Sequence, residues 1–158
     1  MLTLPALQFL TLLGFIATIG MTGVIWWVQA RVYPAFHDVP AGRWAVFHQR
    51  HMRRMGQIAG PLMIAELVGA HAGILLAWQG AAAPLVLVWH GSLTALTWVT
   101  WGLTFFVSVP LHERLARRHD KPTLQSLVLT NWWRTATWSL KCALLLSGWA
   151  ALSFGFVP

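Results

Sequence analysis

Residues 55–112 read MGQIAGPLMIAELVGAHAGILLAWQGAAAPLVLVWHGSLTALTWVTWGLTFFVSVPLH and carry one formal charge, Glu66. A bilayer core of about 30 Å asks ~20 predominantly apolar residues of each helix that crosses it, and inside lipid only helices and closed barrels satisfy their backbone groups. This stretch holds two such runs, Ile58 to Trp78 and Leu85 to Val109, joined by the short uncharged connection Gln79 to Pro84. They form a tight antiparallel hairpin. Outward from it, the first thirty residues are uncharged and supply a span from about Ala6 to Gln29, expected to end near Tyr33-Pro34, while Thr135 to Phe154 supply another. The expected fold is all-α: a four-transmembrane-helix bundle forming one integral membrane domain over residues 1–158.

Composition agrees. With 57% hydrophobic residues and 9% charged ones in 158 residues, one helical membrane domain accounts for the whole length. The net charge of +7 comes from two basic clusters, Arg31 to Arg54 and Arg114 to Arg134, each lying between apolar spans. That layout is a topology signal, and no nucleic-acid partner is expected. Lys and Arg favour the cytoplasmic side, so both basic loops are expected there, with both termini outside the cytoplasm and the protein in the cell (inner) membrane. The N-terminal apolar run is too long for a signal peptide and lacks its positive region, so it reads as the first span. Cys142 is the only cysteine, which leaves no intrachain disulfide or thiolate metal site and reads as a small buried hydrophobe.

Asp38-Val39-Pro40 and Asp120-Lys121-Pro122 each set a carboxylate just before a proline, the signature of a helix start. Each is followed by an amphipathic stretch running into the next span, so helices two and four are expected to extend into the cytoplasm. The halves share the order span, Pro, Asp-x-Pro, amphipathic helix, span, which points to a duplicated hairpin. Gly60-Pro61 removes a backbone hydrogen bond early in the second span, where a kink is expected.

Glu66 lies about eight residues into its span, ~12 Å from the helix start at 1.5 Å per residue. A carboxylate at that depth costs several kcal/mol unless paired, hydrated or protonated, which makes it the first candidate for a functional acid, base or counter-ion. Its expected partners are on the fourth helix, where Asn131, Arg134, Trp138 and Lys141 recur at spacings of three, four and three and share one face. Arg134 has two readings: an inward guanidinium suited to a bidentate pair with Glu66 or with an anionic ligand, or an interfacial anchor among Trp132, Trp133 and Trp138. Asn131 would orient by hydrogen bonding.

His48 and His51 share a face of the second helix's extension, and His112 sits at a similar height on the third. With Glu66 or Glu113 these imidazoles form a candidate site for a single transition metal, zinc, iron or copper. His71 and His90 are equidistant from the middle of the tight connection, hence at one depth, and if they face each other they could share a proton, bind a metal or clamp a haem. Polar stripes on the third helix (His90, Thr94, Thr97, Thr104, Ser108, His112) and the first (Gln8, Thr11, Thr18, Thr22, Gln29) read as interhelical hydrogen bonds or as walls of a wet pocket. The many tryptophans read as interfacial belts.

At Asn131-Trp132-Trp133-Arg134, with Trp138 following and Pro110-Leu111-His112-Glu113-Arg114-Leu115 before it, the second half resembles uncharacterised bacterial four-helix membrane proteins, loosely similar to the anthrone-oxygenase-like family. That resemblance implies oxidation of polycyclic phenolic substrates without an obvious metal or flavin, with Asn131 and Arg134 carried over. A fainter likeness, through Tyr33-Pro34 and Trp89-His90, is to the four-helix protoporphyrinogen oxidase family; the chain departs from it at Gln8, where no histidine stands, and at Ser92, where that family would place a lysine.

The expectation is therefore a polar pocket between helices two, three and four, opening to the cytoplasm and binding a small hydrophobic or amphipathic molecule, with oxidoreductase chemistry if the protein is an enzyme. Glu66, Arg134 and Asn131 would act on the ligand, His71 and His90 on a haem, and His48, His51 and His112 on protons or a metal. The alternative is a non-enzymatic accessory or assembly subunit of a larger membrane complex, or a homo-oligomer.

Overall fold

The computed structural model describes residues 2–80 and 82–153. Within them the chain is almost entirely helical, in four long rods: α1 (Leu4–Asp38), α2 (Ala41–Gln79), α3 (Pro84–Arg117) and α4 (Lys121–Ser153). α1 packs against α2 and α4, and α3 against the same two, so the rods close into a four-sided bundle. Three of them, α1, α2 and α3, are long and apolar enough to cross a membrane. α4 carries Lys141 among its apolar residues and falls short of that measure over its described part; Phe154, the expected end of the fourth span, lies outside the described residues.

The packing follows a 3.5-residue repeat. The buried positions include Leu7, Thr11, Gly14, Thr18, Met21 and Ile25 on α1, with Ala17 beside them, and Leu124, Leu127, Asn131, Arg134, Trp138, Lys141 and Leu145 on α4, with Thr135 beside them. Both series step by four and three, the spacing that keeps one seam of a helix facing its neighbour. Where α1 crosses α2 the seam narrows to glycine: a Cβ on Gly14 would lie 2.7 Å from the Gly69 Cα, and one on Gly69 would lie 2.7 Å from the Leu10 carbonyl. Small residues permit this backbone approach, which is how helices in lipid gain dispersion contacts.

The first and third helices run further than the sequence led us to expect. α1 does not stop at Tyr33-Pro34 but passes through a π-helical segment, Val28–Val32, and continues to Asp38. α3 repeats the device with a π segment at Leu103–Ser108, followed by Pro110. In both, proline falls two residues after a π turn has already shifted the hydrogen-bond register, so its missing N–H does not end the helix. α2 likewise runs unbroken through Pro61. All four rods therefore extend past the apolar spans, and their ends share a second core of Phe36, Trp44, Leu115, Leu124 and Leu127, locked by a hydrogen bond from Trp44 Nε1 to the Leu115 carbonyl (2.7 Å).

Of the two expected capping carboxylates, one caps. Asp120 Oδ1 accepts from the Thr123 backbone N–H (3.0 Å), and that bond holds its carboxyl below the usual carboxylate range. Asp38 instead closes the short 3-10 turn at the end of α1, and α2 starts without a side-chain cap.

Candidate functional site

The chain has 11 Lys and Arg, and nine of them are exposed where the α1–α2 and α3–α4 connections meet. The other two, Arg134 and Lys141, are buried on the seam of α4. One cation finds a carboxylate and the other does not. Lys141 Nζ donates to Glu66 Oε1 at 3.0 Å, and Trp138 Nε1 donates to both Glu66 oxygens at 3.1 and 3.0 Å. Of the partners expected for Glu66 on the fourth helix, Lys141 and Trp138 meet it and Arg134 does not. Seven residues of α-helix, about 10.5 Å, separate Arg134 from Lys141; the carboxylate lies at the depth of Lys141, and the Trp138 ring stands between it and the guanidinium.

Arg134 turns inward, which excludes the interfacial-anchor reading. Its Nη1 donates to Asn131 Oδ1 (3.1 Å), Asn131 Nδ2 donates to Gln29 Oε1 (2.7 Å), and the guanidinium lies over the Trp138 ring at 5.3 Å. Among the described residues its Nε has no hydrogen-bond partner.

Arg134 forms part of the wall of a cavity of about 230 Å³. α1, α2 and α3 build most of that wall and α4 contributes Arg134, so the pocket expected between helices two, three and four has α1 as a principal side. Met21, Met52, Met55 and Met63 line its body, every methionine of the chain after Met1. Tyr33, His51, Ser108, His112 and Arg134 gather at its polar end. Both π segments border it, through Val28 on one side and Thr104, Phe105 and Ser108 on the other. A π turn adds a residue to the helical repeat and rotates everything after it, here the segments bearing Tyr33 and His112.

The structure gathers the three histidines expected at the basic end. His48 Nε2 and His112 Nδ1 share a hydrogen bond of 3.1 Å, His112 Nε2 and Tyr33 Oη share one of 3.3 Å, and the His51 ring lies 5.8 Å from that of His112. In a neutral ring one nitrogen donates and the other accepts, so both positions of His112 are occupied by neighbours. The result is a hydrogen-bonded chain, and among the described residues no three His, Cys, Asp or Glu side chains are placed to hold a metal ion. Neither carboxylate considered with them is present: Glu66 is held by Lys141, and Glu113 is exposed, 3.9 Å from Arg117.

His71 and His90 do not meet. His90 is buried against Phe15, Trp89 and the backbone at Gly73, whereas His71 is exposed, bonded to the Leu67 carbonyl (2.7 Å) and edge-on to Trp98. Residues 71 and 73 are two steps apart on a helix, about 200°, so His71 faces away from the wall that receives His90. A haem clamped by this pair does not fit.

Sequence reasoning passed over two features of the site. Tyr33, the only tyrosine, read as a span end. Trp138, expected on the face that meets Glu66 with interfacial anchoring as the alternative, is fully buried as a partner of Glu66. The methionines were the available signal, since Met fills surfaces that must adapt to what they bind. Three of the four fall within Met52 to Met63.

No protein-family model, curated protein or solved structure matches this chain. Its function is read from the cavity and the groups around it.

Proposed function

We propose that this protein is a four-span membrane protein, its basic end in the cytoplasm and both termini outside, that binds a small amphipathic molecule between α1, α2 and α3. One observation carries the reading: four methionines line a largely apolar cavity in which Tyr33, His51, Ser108, His112 and Arg134 make up a polar end, with Thr104 a turn away from it. That asymmetry matches a ligand with an apolar body and a single polar head. A volume of about 230 Å³ lies below the ~300 Å³ at which sites for drug-sized molecules begin, so the ligand is small. Two of the side chains that the anthrone-oxygenase-like resemblance carries over, Asn131 and Arg134, stand at this polar end or one hydrogen bond behind it. The Tyr33–His112–His48 chain gives a proton on the ligand's head a route toward the basic end, a step that an oxidising enzyme would also require.

Gly56 provides the test. It lines the cavity, and a Cβ there would meet nothing within 4 Å, so Gly56→Leu adds side-chain volume at the cavity wall without a clash at its Cβ. In lipid nanodiscs, with empty nanodiscs as blank, equilibrium dialysis should show saturable binding of naphthamide, a neutral aromatic probe. Gly56→Leu should weaken it at least about tenfold at unchanged unfolding temperature, the scale of losing one or two buried apolar contacts. Absence of saturable binding, together with a stoichiometric protein partner in mild detergent, would instead make the chain an accessory subunit.

A further inference from the structure

A buried guanidinium in an apolar wall calls for an anion. The chain has four acidic side chains: Glu66 is bound to Lys141, Asp120 caps α4, and Asp38 and Glu113 are exposed. Among the described residues none lies within ion-pair reach of Arg134, which is 9% exposed; its neighbours are the neutral oxygen of Asn131, the Tyr33 hydroxyl and the face of Trp138. A buried charge without a counter-ion is costly, and more so in a membrane domain, where water is scarce. Its free Nε belongs to the side chain that borders the cavity, beside Tyr33 and His51, which can donate a hydrogen bond, and His112, whose two nitrogens are engaged by Tyr33 and His48.

Resting on the ligand-binding reading above, we infer that the ligand's head is a compact oxyanion, a carboxylate or phosphate, seated against Arg134 with Tyr33 and the histidines around it. The guanidinium is planar and permanently charged, which suits such a head better than a point cation would. Asn131, itself fixed by Gln29, holds the guanidinium in place. The apolar tail lies among the methionines. Two sources supply this chemistry: a free small amphiphilic acid, or the phosphate of a bilayer lipid reaching in from the side.

Dialysis of naphthoate against naphthamide distinguishes the outcomes, performed on the intact protein both in dodecyl maltoside and in phosphatidylcholine nanodiscs. The measured quantity is the naphthoate preference of the natural chain divided by that of Arg134→Met, which cancels partitioning of the probes into micelle or bilayer. We expect about tenfold or more, the worth of a charge-assisted hydrogen bond. Arg134→Lys should retain part of it, and it keeps the test valid if Arg134→Met fails to fold. Preference in both media identifies a free acid; preference in maltoside alone identifies a lipid phosphate already seated in the nanodisc. Naphthamide binding with no naphthoate preference in either medium overturns the anion and leaves the pocket standing. Absence of binding by both probes overturns both readings.

Discussion

Lys141→Met should destabilise the protein by about 3–5 kcal/mol, read from denaturant or thermal unfolding in detergent, because it strands the Glu66 carboxylate in the bundle interior. Glu66 is 1% and Lys141 3% exposed, so water cannot take over the lost partner. Removing both charges with Glu66→Gln and Lys141→Met should recover most of the loss, since the amide oxygen still accepts from Trp138 Nε1 and the methionine fills the volume of the lysine stem. The ion pair is then a specificity device more than a source of net stability, because two ions withdrawn from water recover little more than their desolvation cost. A single variant within about 1 kcal/mol of the natural chain would show that this pair does not hold the bundle. Neither substitution touches the methionine-lined cavity, whose wall includes neither residue, so naphthamide binding by the double variant should match that of the natural chain.

Gly69→Leu should cost about 3 kcal/mol or more by overpacking the α1–α2 crossing. Even a single Cβ there would lie 2.7 Å from the Leu10 carbonyl and 2.8 Å from the Gly14 nitrogen, both backbone atoms that cannot turn aside. α1 and α2 would have to separate, and with them the seam that buries Thr11, Thr18 and Met21. Gly56 is the internal control, on the same helix and in open space: Gly56→Ala should stabilise by about 0.5–1 kcal/mol through helix propensity alone. Equal unfolding midpoints for Gly69→Leu and Gly56→Leu would refute the close crossing.

Reading the sequence succeeded where one residue's free energy dominates and failed where the outcome depended on which residue a neighbour presents. Uncharged runs of spanning length mark helices regardless of what packs on them, and the basic clusters locate one end of the bundle. The three-and-four recurrence of Asn131, Arg134, Trp138 and Lys141 placed the polar seam of α4 correctly because periodicity is a property of a single helix. Partner choice is a property of two. Glu66 had two cations on that seam to choose from, separated by two helical turns, and only the axial offset of α2 against α4 selects Lys141. His71 and His90 were assigned one depth by counting from the turn, but depth says nothing of rotation about the helix axis, and rotation separates them.

From residues alone came the helical class, the membrane-spanning character of α1, α2 and α3, the basic end, and the list of polar side chains too costly to leave in lipid. Tertiary packing decided the rest: two π turns that rotate Tyr33 and His112 toward one cavity, four methionines around it, and a guanidinium left facing it with no carboxylate of its own. The division has a physical cause. Burial and backbone hydrogen bonding act residue by residue along a chain, whereas a site needs side chains from several helices within about 3 Å of one another, and that proximity depends on helix offsets and rotations that no single segment encodes.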